Sequence, residues 1–316
     1  MSLYSRTLAV TENNYMMHRK YGNLLRIAGR TDEAILHFRR AIEIRPLFAK
    51  AHTDLGLALA DKGLFDKAAA QFERSLAIEP DSATTHNCYG VMLAEQGRYD
   101  AAIAQFNGAL DIDPDFPGAL HNMYRAGVKG GKIDEVLGIM RDRELKTPRN
   151  AELYYRAGML YGIKGETEAA IEQLESAVKL RPDYIAARGE LGDAFLRAGH
   201  SLKAAEQYES IVRLAPDNVK ALCVYSLLLA TSPDKDVRDP QRAWSLADKA
   251  CGLTDYNQPE PLDVFSQACA ARGEMTLAIE TAQKALKAAT AGGEDELAGQ
   301  IKSRLELYQR KRQEKE

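Results

Sequence analysis

Apolar and small residues recur at three- and four-residue intervals through residues 83–95, ATTHNCYGVMLAE, and again through residues 100–112, DAAIAQFNGALDI. That period predicts two amphipathic helices and no strand. Gly97, between them, can take the left-handed conformation that ends the first helix, and Asp100 is expected to accept hydrogen bonds from the free amides opening the second. Pro114 has no N–H with which to extend the second helix, and Asp115 is placed to start whatever follows. Gly90, Ala102 and Ala109 carry little or no side chain, so helices can cross closely there. Tyr89, Leu93 and Phe106 fill the space around those crossings.

The same landmarks return at one fixed interval. Pro46, Pro80, Pro114, Pro148, Pro182 and Pro216 are each 34 residues apart. Gly29, Gly63, Gly97, Gly131, Gly165 and Gly199 keep that step, as do Asp32, Asp66, Asp100 and Asp134. One helix pair alone would expose its apolar faces, so units repeating at this period must stack. These residues resemble the tetratricopeptide repeat, whose pattern runs bulky, Leu-Gly, Tyr, Ala, Phe, Ala, Pro over 34 positions, and the resemblance covers most of the chain. It implies an all-α, right-handed superhelical solenoid of antiparallel helix pairs. It also implies a concave groove, lined mainly by the first helix of each unit, that in this family usually holds a peptide or another protein.

Residues 1–14 align with the end of a unit, Tyr4 standing for Phe38, Thr7 for Ala41, and Leu8 and Val10 for Ile42 and Ile44. This reads as a second helix without its first, so the chain is expected either to be cut from a longer protein or to open on an orphan capping helix. Residues 15–116 hold three regular repeats, with Ser75 where the second would carry Ala. Residues 117–150 form a degenerate fourth. There Tyr124 replaces the small residue, Gly127 the bulky one, and Val136 and Met140 replace Ala and Phe. Gly127, Gly130 and Gly131 weaken its first helix, by up to about 1 kcal/mol for each interior Gly. The expected reading is an eroded repeat, with a hinge or a ligand-adapted unit as the alternative. Residues 151–218 restore the pattern in repeats five and six, and residues 219–292 hold divergent repeats seven and eight. In repeat seven the turn expands into TSPDKDVRDP at 231–240, and packing of that loop is expected to account for Trp244. Residues 293–316 read as a capping helix, with Leu297, Ile301, Leu305 and Tyr308 inward, and a charged tail.

Composition changes this picture little. The 316 residues carry 42 Lys and Arg against 45 Asp and Glu, a net charge of −3, so the global positive charge expected of a nucleic-acid binder is missing. No apolar run reaches the roughly 18 residues of a membrane span, and no signal-peptide pattern opens the chain. Cys88, Cys223, Cys251 and Cys269 are scattered without a CxxC, which favours buried free thiols, although Cys251 and Cys269 lie in neighbouring elements and could meet. The compartment is left open: cytoplasmic by default, extracytoplasmic if the segment belongs to a membrane-anchored protein.

No catalytic constellation, Walker motif or nucleophile elbow is present, so no enzyme and no cofactor are expected. His18, His52 and His86 occupy one position of three consecutive units. Stacked helices lie roughly 8–10 Å apart while Zn²⁺ takes ligand atoms at about 2 Å, so such a ladder does not converge on a metal. The remaining candidate site is the groove. The family's groove positions place Arg19, Asn23, Arg26, Lys50, Thr53, Asn87, His121, Arg125, Lys129 and Tyr155 there, followed by the acidic Glu152 and Asp193. A basic, amide-rich N-terminal half favours an acidic or carboxylate-ended peptide. The chaperone-tail carboxylate clamp of the family is incomplete: Arg19 and Asn23 fit it loosely, but Asp54, Thr84 and Cys88 stand at its later positions. The asparagine ladder of the N-acetylglucosamine transferase superhelix is matched only by Asn122. A weaker resemblance, carried by LYSRTLAVTENNY at 3–15, is to the junction where membrane mannosyltransferase-like proteins pass into soluble repeats. The sequence thus favours a non-enzymatic protein-binding scaffold, with the acceptor-recognition domain of a membrane glycosyltransferase as the alternative.

Overall fold

The computed structural model describes residues 14–314, and the expected orphan helix at 1–14 falls almost wholly outside them. The described residues form seventeen α-helices and no strand. They fall into two compact units, one ending at Arg156 and the other beginning at Ala157. In the first, helices pair in chain order: α1 (Tyr15–Ile27) with α2 (Thr31–Ile44), α3 (Ala49–Asp61) with α4 (Phe65–Ile78), and α5 (Ala83–Glu95) with α6 (Tyr99–Ile112). Next come α7 (Ala119–Gly130), α8 (Ile133–Lys146) and α9 (Ala151–Lys164), which runs past the unit boundary. The second unit continues with α10 (Thr167–Leu180), then pairs α11 (Ile185–Arg197) with α12 (Ser201–Leu214) and α13 (Val219–Thr231) with α14 (Pro240–Leu253). It ends with α15 (Pro259–Ala271) and two longer helices, α16 (Met275–Gly292) and α17 (Asp295–Gln313).

Each pair closes on one contact. In α5 and α6 the ring of Phe106, 1% exposed, lies directly on the backbone of Gly90; a Cβ on that glycine would sit 2.6 Å from Phe106 Cε1. Gly97 makes the turn between them with φ +73, where an L side chain is strained. Ala102 and Ala109, both fully buried, let the next helix in as the small-residue pattern predicts.

The capping differs from expectation. α6 begins at Tyr99, so Asp100 is its second residue and bonds no helix amide; Arg98 flanks the helix without a side-chain cap. The tight turn delivers the chain to α6 two residues earlier than a capping Asp100 would need. Asp100 instead receives Lys132 Nζ at 2.6 Å, and Asp32 likewise pairs with Lys62. Its charge still suits the positive end of the helix dipole. Side-chain caps occur instead on several first helices, where Asn14, Ser82 and Asn218 accept from Met17, Thr85 and Ala221 amides. Asp115 caps nothing either, accepting from Asn150 Nδ2 at 2.9 Å.

The histidine ladder is a set of clasps between the two helices of each unit. His52 Nδ1 bonds Gln71 Oε1 at 2.8 Å and its Nε2 bonds the Pro46 carbonyl at 3.1 Å. His86 bonds Gln105 at 2.7 Å, and Arg188 takes both roles in the second unit, donating to Gln207 and to the Pro182 carbonyl. In the first repeat both partners are imidazoles, His18 Nδ1 and His37 Nδ1, 2.9 Å apart. One must donate and the other accept. Burial pushes both pKa values down; for His18, His37 and Arg40 add to that effect, while Glu33 opposes it for His37.

The fourth repeat repacks its close contact. Its first helix runs 12 residues and approaches α8 over less of its length than α5 approaches α6. Tyr124 and Met140 stand where Gly90 and Phe106 stand in the third repeat, and one turn further Gly127 and Val136 stand where Leu93 and Ala102 do. The large and small partners are exchanged at the second of these places: a Cβ on Gly127 would meet Val136 Cγ2 at 2.7 Å. Gly130 likewise makes room for Tyr99, 2.6 Å from its would-be Cβ. These glycines are packing residues. Arg143 takes the place of Ala109; it is 5% exposed and spans to the preceding second helix, bonding Asn107 Oδ1, the Asn107 carbonyl and Asp111 Oδ1 at 2.5–3.1 Å.

In the second unit the connection between α13 and α14 is pinned at both ends. Arg238 donates twice to the Ser232 carbonyl, Val237 is buried, and Asp239 caps α14 through the Arg242 amide. Trp244, expected against this loop, instead lies edge-on to Phe265 of α15, with the Arg272 guanidinium 4.8 Å from its ring centroid. α17 buries Ile301, Leu305 and Tyr308 and fixes its Arg304 across the buried Asp263 in a two-point bond of 3.0 and 2.5 Å.

Two predictions follow from these contacts. Gly127→Leu alone overpacks the fourth repeat and Val136→Ala alone leaves a cavity, each lowering stability by about 1–3 kcal/mol. The double substitution restores the arrangement of Leu93 over Ala102 and should lose less than the sum in urea unfolding, whereas strict additivity would show the two sites to be independent. Because the unfolded histidines bind protons more readily than the folded pair, the clasp contributes stability above their ordinary pKa near 6.5 and loses it as pH falls below. Wild type should therefore lose more thermal stability between pH 7 and pH 5 than His37→Gln, which keeps the bond as Gln71 does; equal losses would remove the pair as the cause.

Candidate functional site

The ten residues expected in the groove divide by what their side chains meet, the other first helices among them. Arg19 Nε reaches Asp54 Oδ2 at 2.6 Å and Asn23 Nδ2 reaches the same oxygen at 2.9 Å. The two residues that loosely fit a carboxylate clamp thus close on a carboxylate of this chain. Burial raises the Asp54 pKa, against the opposing pull of Arg19 and Asn23. Arg26 Nη1 pairs with Asp61 Oδ2 at 3.0 Å. Thr53 is 6% exposed and its hydroxyl is taken up at 2.8 Å by both Ser75 and Thr85. Tyr155 is also buried, with the Arg156 guanidinium 4.9 Å from its ring centroid and Glu152 holding Arg156 at 2.7 Å. In the second unit Asp193 accepts from the Tyr208 hydroxyl.

The remaining positions differ. Lys50, Arg125 and Lys129 are exposed, and none forms a hydrogen bond or ion pair with another described residue. Asn87 Oδ1 accepts from Asn122 Nδ2 at 3.0 Å. The His121 Nδ1 is buried with no hydrogen-bond partner. Its pKa is lowered by burial and then by Arg156 and Arg125, against Glu152.

Residue spacing explains the division. Arg19 and Asp54, Arg26 and Asp61, and Asn87 and Asn122 are all 35 residues apart, one repeat plus one position. Neighbouring first helices bring those positions together. The same step from Lys50 lands on Thr85, so no carboxylate waits for it. Choosing groove residues by their helix face found the cations but not Asp61, nor that Asp54 would hold Arg19 and Asn23, which this spacing would have supplied for the two arginines.

Two concavities open along the first helices of the first compact unit. The larger, about 560 Å³, is bounded by Arg19 and Lys50 but also by Asp54, Glu79, Asp81 and Asp113, so this stretch is not the basic groove expected from the first helices alone. The smaller, about 120 Å³, lies between α5 and α7 below Arg125 and Lys129.

Among the described residues no group of three or more His, Cys, Asp or Glu side chains could hold a metal ion, and no helix is long and apolar enough to cross a membrane. The four cysteines are free thiols; burial pushes Cys223 and Cys251 up to about 12 and Cys269 to about 11, leaving them as packing groups at neutral pH.

No curated relative matches the chain. Among solved structures, the C-terminal part of a repeat-containing protein from Cytophaga hutchinsonii is 17% identical and aligns with a TM-score of 0.56 over 76% of this chain and 97% of its own. Yeast Tom70 is 18% identical, with a TM-score of 0.48 over 87% of this chain and 58% of Tom70. MamA from Desulfovibrio magneticus RS-1 is 22% identical, with a TM-score of 0.41 over 54% of this chain and 96% of its own. At these identities the first likeness speaks for the fold alone. Sequence profiles described as tetratricopeptide repeat match residues 53–117 and 155–219, and one described as TPR repeat matches residues 22–63, together about half of the chain. The chain is an all-α repeat solenoid and belongs to the tetratricopeptide repeat family.

Proposed function

We propose that this protein is a non-catalytic scaffold that binds a peptide or protein along the first helices of its repeats. Tetratricopeptide proteins are generally scaffolds of this kind. The observation that carries the reading here is the contrast between spent and unspent groove cations. Arg19 and Arg26 hold carboxylates of the neighbouring repeat, whereas Lys50, Arg125 and Lys129 are exposed and hold nothing. Exposed cations without internal partners are available to carboxylates of a partner, and a guanidinium can take one with two parallel bonds. The site accordingly centres on the second to fourth repeats, with Arg19 and Asn23 supporting the fold.

Reversing Lys50, Arg125 and Lys129 to Glu together should abolish capture of specific partners from a lysate of the source cells while leaving helical content unchanged. Capture of the same proteins by wild type and variant would move the site away from this face. Arg19 does not belong in that triple, because Arg19→Glu would set a second carboxylate against the buried Asp54 and test stability instead.

A further inference from the structure

From the small concavity between α5 and α7 we infer a two-part peptide subsite: an apolar pit that takes one branched aliphatic side chain, and a cationic rim that takes a carboxylate within two residues of it. The inference rests on the groove reading above and names what that groove selects.

The apolar part of the pit is formed by Val91, Ala94, Ala126 and the rings of Tyr99 and Phe106, with Asn122 adding a polar wall beside them. Its volume of about 120 Å³ is somewhat below the roughly 150 Å³ of an apolar cavity that admits benzene, so it suits Leu, Ile or Val better than an aromatic ring. The small residues of the repeat create it. Ala94 and Ala126 leave a gap above Phe106 that larger side chains would close.

Arg125 and Lys129 stand on the rim, four residues apart and therefore on one face of α7, separated by about 6 Å along the helix. Neither is paired. Glu95, also at the rim, is the one carboxylate among the lining residues and makes no ion pair with them. An apolar pit below two free cations is complementary to an aliphatic residue followed by Asp, Glu or a chain terminus, and poorly complementary to a basic peptide. The larger cleft has no such bias, because its own carboxylates outnumber its cations.

The test is selection of a random heptapeptide display library on the full chain, followed by fluorescence anisotropy of the selected peptides. Four proteins are compared: wild type, Arg125→Glu with Lys129→Glu, Ala94→Phe, and a control double reversal of exposed cations in the other compact unit, Lys179→Glu with Arg213→Glu. The expected result is enrichment of an aliphatic residue with Asp or Glu within two positions. Binding should fall at least about tenfold both when the rim is reversed and when the pit is filled, should weaken with added salt, and should survive in the control. Circular dichroism establishes that each variant folds. Should a variant fail to fold, amidated, Asp-to-Asn and Leu-to-Ser versions of the selected peptides probe the same two contacts on wild-type protein. Peptides that bind but lack this motif, or that ignore both changes, would overturn the subsite and leave the groove reading standing. Enrichment of no peptide at all would overturn both.

Discussion

The regular repeats depend on bare backbone meeting a large side chain between their two helices. Gly22 receives Phe38, Gly56 receives Phe72, Gly90 receives Phe106, and in the second compact unit Gly158 receives Leu174 and Gly192 receives Tyr208. The phenylalanines involved are at most 1% exposed. A methyl group at most of these glycines would come within 3.0 Å of the facing ring or side chain, so helix separation and core filling are set by the same residue. The fourth repeat obeys the constraint by moving its glycine one turn along and facing it with Val136. It departs from the repeat pattern while preserving the rule that one side of the contact is bare.

Stacking also decides which charges are free. Once the small residues have set the spacing, positions one repeat plus one residue apart face each other across neighbouring first helices. Arg19 and Arg26 meet aspartates there, Asn87 meets Asn122, and Arg125 and Lys129 meet neither. A similar economy operates on second helices, where Arg143 is buried against Asn107 and Asp111; burial lowers its pKa while Asp111 counters that effect. A buried arginine held by this many acceptors is a structural element, since removing either side leaves a buried charge or acceptor without a partner. Binding capacity is left where the interlocking of repeats has not consumed it.

The helices, their pairing and the core rings were legible in the sequence because each follows from a local period of three to four residues within a unit. What the period could not show were the contacts between units. Asp100 looks like a helix cap within its own repeat, and only the arrival of Lys132 from the next turn gives it a partner. Thr53 looks like a groove residue by position, yet Ser75 and Thr85 from two other helices bury it. The same reason hid Arg143, which reads as a plain loss of Ala, and the bond from His52 to the Pro46 carbonyl of the preceding repeat. The apolar pit was not visible either, since it arises from Ala94 and Ala126 being small on adjacent helices at once.

The central claim is that Arg19 and Arg26 of the first repeat are structural while Arg125 and Lys129 of the fourth stand free, and it can be measured without knowing any partner. Brief arginine modification with phenylglyoxal, followed by site-resolved mass spectrometry of the intact folded chain, should label Arg125 many times faster than Arg19, Arg26 or Arg143, with the difference vanishing in denaturant. Arg19 reacting as fast as Arg125 in the folded protein would contradict the account.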